Sequence, residues 1–475
     1  MTDAADQSDQ PSGTTAPLSR EAASLPSTGP VFERTDWASC GLTVLVLLVV
    51  YLRTLAPEVT LEFSGLLSTS AAYGGVAYPP GFPVWTLYSW VFVTVLPFGS
   101  FAWRVAVGSA VAAALACGLV ALMVSRGGIW LLKDSLALTH LKPADQKLLR
   151  LVCGYVAGMV LGLSRPVWRV AVVAENWALS VLLFTVTVCL LTRWIFRPDR
   201  ARWLWGAAFV FGLLLTSNQE LIVVAPSLLL AVLVSDRKLG RDLSLPVAFL
   251  AVTCWAVSRF VRVPWLASYI SGNAWLLAAF LVVGVGAAAV VVATRRFGSE
   301  WKSASLCAVC LLVGLGCCLY LPVASMTNPP SNWSYARTME GFSHLVTRGQ
   351  YERPQPTGQV GRFIEQLWTV LGTTSRGLGW FYFPFMALPF CVLRRAGRCA
   401  QRWLLALAAV FLGTGPLLVA LLNLGSDKAS MDLIAPCFGA MYVVLAVWTG
   451  LGLMVFGSFI ARFCGRSQPN AEPVS

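Results

Sequence analysis

Apolar runs long enough to cross a lipid bilayer recur along almost the whole chain, and they constrain the fold more than any other feature. They lie at about 38–55, 105–124, 151–163, 171–191, 203–215, 221–234, 245–257, 274–293, 305–323, 378–392, 403–422 and 433–460. A backbone in hydrocarbon has only itself to hydrogen-bond with, so runs of roughly 20 apolar residues fold as transmembrane helices. The expected fold class is an all-α polytopic membrane protein with about 12 transmembrane helices, several of them built on runs of only about 13–15 residues.

Composition agrees. Apolar residues make up 57% of the 475 positions and charged residues 12%, against about a quarter charged in soluble domains. The net charge of +13 does not point to nucleic acid, because the basic residues sit in short turns between apolar runs, where they act as orientation signals. With a cytoplasmic N-terminus, the turns holding Arg126/Lys133/Lys142/Lys147, Arg193/Arg197/Arg200/Arg202, Arg237/Lys238/Arg241, Arg295/Arg296/Lys302 and Arg394/Arg395/Arg398/Arg402 all fall on the cytoplasmic side. The 13 cysteines lie mostly in or beside apolar runs, so no disulfide framework is implied, and Cys307-x-x-Cys310 reads as packing.

The expected organisation is a disordered cytoplasmic tail over 1–36, a membrane domain over 37–325 with a first outer loop at 57–102, and a long outer loop with short amphipathic helices over 326–377. Two segments complete it: C-terminal transmembrane helices over 378–461 and a cytoplasmic tail over 462–475.

Residues 57–83, PEVTLEFSGLLSTSAAYGGVAYPPGFP, do not suit a lipid-facing helix. Prolines 79, 80 and 83 remove backbone donors and sit at membrane depth only beside protein or a watery cavity. Glu62 in this stretch reads either as a loop acid or helix cap, or as a general base toward an acceptor hydroxyl or a holder of a metal-bound phosphate. Residues 84–98, with Trp85, Tyr88 and Trp90, read as an interfacial or re-entrant helix.

Other polar groups fall on the same expected face. Arg165 and Arg169 precede Glu175, an arrangement that suits an internal ion pair or a site. Asn218-Gln219-Glu220 joins two apolar runs and reads as a cap or a ligand. In the long loop, Asn328-Pro329-Pro330 is a turn, Asn332-Trp333 sets an amide beside an aromatic face, and residues 339–346 read as a short amphipathic helix. Arg337, Arg348, Arg353, Arg362 and Arg376 follow; their planar donors suit a phosphate or lipid headgroups. Asn332-Trp333-Ser334 also fits a glycosylation sequon.

Several of these pieces together resemble the membrane family grouped as domain of unknown function 2723, which includes protein O-mannosyltransferase-like members. They are Leu55-Ala56-Pro57, Ser64-Gly65, the block from Gly75 to Pro83, Leu96-Pro97-Phe98-Gly99, Glu175-Asn176-Trp177-Ala178-Leu179, Asn328-Pro329-Pro330 with Asn332-Trp333, and Arg348-Gly349-Gln350-Tyr351. The resemblance implies a glycosyltransferase-C-like fold. It also implies transfer of a sugar, mannose among the candidates, from a polyprenyl-phosphate donor to a protein or glycan acceptor at the non-cytoplasmic face of a bacterial inner membrane. Residue chemistry and the resemblance together assign catalysis to Glu62 and substrate binding to Ser64, Tyr78, Arg169, Glu175, Asn218, Gln219, Asn332, Trp333, Arg337, Arg348 and Tyr351. No metal ligand is assigned, although a divalent metal is a candidate cofactor, and membrane lipid is an expected partner while nucleic acid is not. The family pattern has an Asp before Ser-Gly and a Glu after it, where this chain has Phe63 and Leu66; two family histidines are Tyr78 and Asn218 here. The rival readings are a transporter or lipid flippase, and an inactive relative that serves as a binding subunit.

Overall fold

Side-chain contacts at the two ends of the helices show how the bundle is put together. The computed structural model describes residues 31–60, 63–133, 141–260, 274–351, 355–425 and 434–466. Every regular element among them is helical, and the single extended pairing is a parallel bridge between Val76 and Asn332.

Helix α1 (Arg34–Arg53) is followed by the short α2 (Ser64–Tyr73) and α3 (Pro83–Val95), then by the long α4 (Phe101–Leu132) and α5 (Pro143–Gly162). Helices α1, α4 and α5 pack closely because Gly154, Gly158 and Gly162 repeat every fourth residue along one face of α5. A Cβ at Gly158 would lie 2.5 Å from Thr43 Cγ2 and 2.8 Å from the Cys117 carbonyl oxygen, and one at Gly154 2.7 Å from the Ala121 carbonyl oxygen. Small residues at this spacing let helix backbones approach where lipid supplies no hydrophobic drive for association. At the far end of the trio, the Tyr51 hydroxyl donates to the Gly162 carbonyl at 2.8 Å.

Helix α6 (Arg165–Ala171) leaves α5 at a 71° bend. Helices α7 (Trp177–Phe196) and α8 (Arg202–Ser217) lead through a 3₁₀ turn at Gln219–Val224 into α9 (Ala225–Ser235). Then come α10 (Arg237–Phe260), α11 (Ala274–Thr294) and α12 (Trp301–Leu315), which a 3₁₀ turn joins to α13 (Tyr320–Met326). Helices α8 and α12 cross at Gly212 and Gly314, where either added Cβ would lie 2.4 Å from a backbone oxygen of the other helix. The long loop carries α14 (Met339–Val346), at the bounds expected from its sequence.

Helix α15 (Val360–Leu378) is a single amphipathic helix of 19 residues, not one of several short ones. Gly379, at φ +98°, then turns the chain through 98° into Trp380–Arg395, which contains α16 (Phe383–Cys391). Helices α17 (Arg398–Leu412), α18 (Leu418–Leu422) and α19 (Gly439–Arg466) close the bundle.

Eight described helices are long and apolar enough to cross a membrane, and up to ten if each bent pair counts as one span. The expected count of about 12 is not confirmed among the described residues. Arg202–Ser217 and Gln219–Ser235 are apolar but too short to pass as spans, because crossing the hydrocarbon takes about 20 helical residues. The calls for the tail up to residue 30 and for 467–475 lie outside the described residues.

The basic turns gather at one end. Arg150 bonds Glu33 at 2.8 Å and the wholly buried Asp36 at 2.6 Å, while Arg126 bonds Glu33 at 2.6 Å and Ser125 donates to Asp36 at 2.5 Å. Trp403 packs edge-on to Trp130 and Phe196, and Arg402 donates to the Ser235 carbonyl. Buried Arg241 reaches the Arg296 carbonyl and Ser299, and Asp242 accepts from the amides of Gly298 and Glu300. The opposite end carries residues 57–60 and 63–100 and the long loop over 327–351.

Candidate functional site

At that opposite end the proline-glycine segment and the long loop are stitched into one layer. Ser70 and Ser331 share a hydrogen bond of 2.7 Å between hydroxyls. The Val76 amide donates to the Ser331 carbonyl at 2.7 Å, the Trp333 amide returns to the Val76 carbonyl at 3.2 Å, and the Tyr320 hydroxyl donates to the Gly74 carbonyl at 2.6 Å. Gly75 is required here, since a Cβ would stand 2.5 Å from the Ser331 carbonyl oxygen. The chain then passes through a cis Pro79–Pro80 bond and Phe82 at φ +45° into α3. The Arg104 guanidinium, from α4, donates to the Val93 carbonyl, an acceptor that the end of α3 leaves open, and to the carbonyls of Phe98 and Gly99 in the connection.

Tyr78 lies at the centre of this layer, half-buried, stacked on Phe63 at 4.6 Å between ring centres and edge-on to Phe82 at 4.9 Å. Burial raises its phenol well above the ordinary tyrosine range; Glu175, Tyr351 and Glu220 push the same way, and Arg348 opposes them. The phenol is thus a neutral hydroxyl, a donor as well as an acceptor. Its electrostatic neighbours come from three separate parts of the sequence.

Arg348, held at φ +56°, forms a 2.9 Å ion pair with Glu220 and lies 5.1 Å from the centre of the Tyr351 ring. The second Glu220 oxygen accepts from the Cys437 thiol at 3.1 Å. Asn218 sets up this corner: its side chain accepts from the Glu220 amide at 3.1 Å and caps the 3₁₀ turn. Gln219 donates to the Val346 carbonyl at 2.9 Å, tying the turn to the long loop. Behind the layer, Trp85 and Ser109 donate to the Glu175 carbonyl at 3.0 and 3.3 Å, and Asn176 donates to the Ser217 carbonyl at 3.3 Å.

The expected residues divide into three groups. Tyr78, Glu175, Arg348 and Tyr351 come together, with Asn218 and Gln219 holding the corner beside them. Ser64 instead closes its own turn, accepting from the Thr60 amide at 2.8 Å and donating to its carbonyl at 2.9 Å. Asn332 donates to the Ser325 carbonyl at 3.2 Å, which turns the sequon amide inward, and Trp333 donates to Gln350 at 2.7 Å. Arg337 pairs with Asn328 at 2.6 Å and leans over Tyr335, on the exposed side of the loop. Arg169 is exposed at the end of α6. Glu62 and Arg353 lie outside the described residues. Among those described, no three His, Cys, Asp or Glu side chains gather as a metal site.

Glu220 belongs to the Asn218-Gln219-Glu220 triplet that the sequence marks as a cap or a ligand. Cys437 carries no signal in the sequence, being 217 positions from its partner in the chain.

Comparison with known proteins adds a similarity. Residues 64–241 match the family model described as the protein O-mannosyl-transferase TMEM260 N-terminal domain. Over this stretch the chain is similar to protein O-mannosyl-transferases. It is also 28% identical over 220 residues to protein O-mannosyl-transferase TMEM260 from Mus musculus, covering 45% of this chain and 28% of that relative. The chain thus aligns with well under half of the relative's length. No solved structure matches. The matched stretch opens at Ser64-Gly65 and takes in Tyr78, Glu175 and Glu220, in agreement with the resemblance drawn from the separate motifs.

Proposed function

We propose that the chain is a membrane glycosyltransferase that passes a sugar, mannose being the first to test, from a polyprenyl-phosphate donor to a hydroxyl of a protein or glycan. The observation that carries this reading is the O-mannosyl-transferase family match over 64–241, which holds Tyr78 and two of the residues around it, Glu175 and Glu220. Sugar transfer from a lipid phosphate needs a base for the acceptor hydroxyl and positive charge for the leaving phosphate. Glu62, two residues ahead of the matched stretch, is assigned as the base from its place in the sequence. Arg348 is assigned to the phosphate: one terminal nitrogen bonds Glu220, and the guanidinium has further donors in the same plane. As the acceptor oxygen bonds to the sugar's anomeric carbon, the bond from that carbon to the phosphate oxygen breaks, and Glu62 takes the hydroxyl proton. Tyr78, kept neutral, donates to a sugar or phosphate oxygen. The gathering of basic turns at the other end of the bundle supports a non-cytoplasmic position for this site.

The test is transfer from radiolabelled polyprenyl-phosphate mannose by purified protein in detergent. The parent protein transfers label, and Glu62→Gln lowers turnover about a hundredfold or more with donor binding kept, the usual scale for loss of a general base. Parent-level turnover by Glu62→Gln rejects the assignment of the base. Donor binding without transfer by the parent favours an inactive binding subunit, and movement of the intact donor across vesicles favours a flippase.

A further inference from the structure

The cations at the basic end are not all used in holding the fold together. Arg126 and Arg150 are spent on Glu33 and Asp36, and Arg241 on Asp242 and its neighbours. The turn between α7 and α8 is different. Arg193, in the last turn of α7, lies flat over Trp203 at 3.7 Å and beside Phe32 at 5.5 Å, while Arg202 covers Trp203 at 5.0 Å. Arg200 belongs to the same turn, and the one acid in it, Asp199, stands 4.0 Å from Arg200 with its side chain 74% exposed. Both Arg193 Nε and Trp203 Nε1 are buried and have no acceptor among the described residues.

We propose that this turn is a binding site for the phosphate of an anionic phospholipid in the leaflet at the basic end. Two buried N–H donors side by side, without an acceptor and among like charges, lack the one component that would satisfy both, an oxyanion. Arginine suits it because its planar donors take phosphate oxygens in pairs. A lipid fits better than a free ion because of where the donors stand. They lie at the mouths of two apolar helices, and Phe32, Trp37 and Trp203 supply the aromatic belt of a headgroup region. Trp37, 6.3 Å from Phe32, is 54% exposed on α1, with Leu42 and Leu45 exposed further along the same helix.

The experiment is native mass spectrometry of the purified full-length chain. It is titrated with phosphatidylglycerol, with phosphatidylcholine of the same acyl chains, and with phosphatidylglycerol in the presence of millimolar inorganic phosphate. The parent protein binds a first phosphatidylglycerol several-fold more tightly than phosphatidylcholine, and inorganic phosphate does not displace it. Arg193→Gln combined with Arg202→Gln removes about a tenfold share of that affinity. Arg394→Gln combined with Arg395→Gln, an exposed pair in another basic turn, leaves it in place. Equal affinity for the two lipids in the parent overturns the proposal without reference to any variant. Displacement by inorganic phosphate overturns the assignment to lipid, and an equal loss in the Arg394/Arg395 variant overturns the assignment to this turn.

Discussion

Arg348 and Glu220, 128 residues apart in the chain, meet at 2.9 Å and join the long loop to the turn between α8 and α9. The pair is about a third exposed on the arginine side and a quarter on the glutamate side. Its worth to stability after solvent screening is at most about 1 kcal/mol.

A site role and a structural role for Arg348 therefore give different results. Arg348→Gln is expected to leave the melting temperature within a few degrees of the parent while raising the donor KM about tenfold or more, the scale of a lost charged hydrogen bond. Glu220→Gln, which frees the arginine, raises donor KM less. Donor titrations of both variants beside a thermal melt check this, and an unchanged KM in Arg348→Gln removes the arginine from the donor site.

Gly75→Ala puts a methyl group 2.5 Å from the Ser331 carbonyl oxygen, so the pairing of Val76 with 331–333 must open. The bundle lies elsewhere and should survive. Limited proteolysis is expected to cut the loop over 327–351 faster in the variant, with helical circular dichroism unchanged. Equal cutting rates would mean that the loop holds without the bridge.

The glycine row of α5 gives a sharper stability contrast. Gly158→Leu forces the α1 and α4 backbones apart and costs about 1–3 kcal/mol or more, as overpacking does. Gly361→Ala, in α15 with nothing within 4 Å of the added atom, is neutral or stabilising by up to about 1 kcal/mol. Melting of the two variants in the same detergent decides whether the close approach in α5 carries the difference.

At the basic end, Asp36→Asn leaves Arg150 buried with a weaker partner, and removing one member of a buried pair costs about 3–5 kcal/mol. The same network sets an acid limit. Burial alone would raise Glu33, but its bonds to Arg150 and Arg126 hold it below the ordinary value of 4.5. A carboxyl depressed on folding contributes stability above that ordinary value and loses it as pH falls through the folded value. Thermal melts should therefore show this contribution present at pH 5 to 7 and fading below about 4.5. In Asp36→Asn with Glu33→Gln, that acid-side fall is reduced. An unchanged acid slope in the double variant would assign the limit to other groups.

Much of the fold was legible because a bilayer permits so few solutions. The apolar runs became helices near their expected positions, residues 339–346 formed the expected short helix, and the Pro-Gly block formed a non-helical layer, since three prolines leave too few donors for a helix. The number of spans was less legible, because a run of 13 to 17 apolar residues is compatible with a short buried helix as well as a crossing. For the site, residue chemistry nominated Tyr78, Glu175, Arg348 and Tyr351, and the tertiary structure brought them together. Only tertiary structure could separate Arg348 from Arg337, two loop arginines alike in sequence, by giving one Glu220 and the other Asn328. It also turned the Ser64 hydroxyl onto its own backbone and set Cys437 against Glu220. Local sequence specifies which groups can ionise or donate; which of them meet depends on helix crossings, and here those crossings rest on glycines whose only signal is the absence of a side chain.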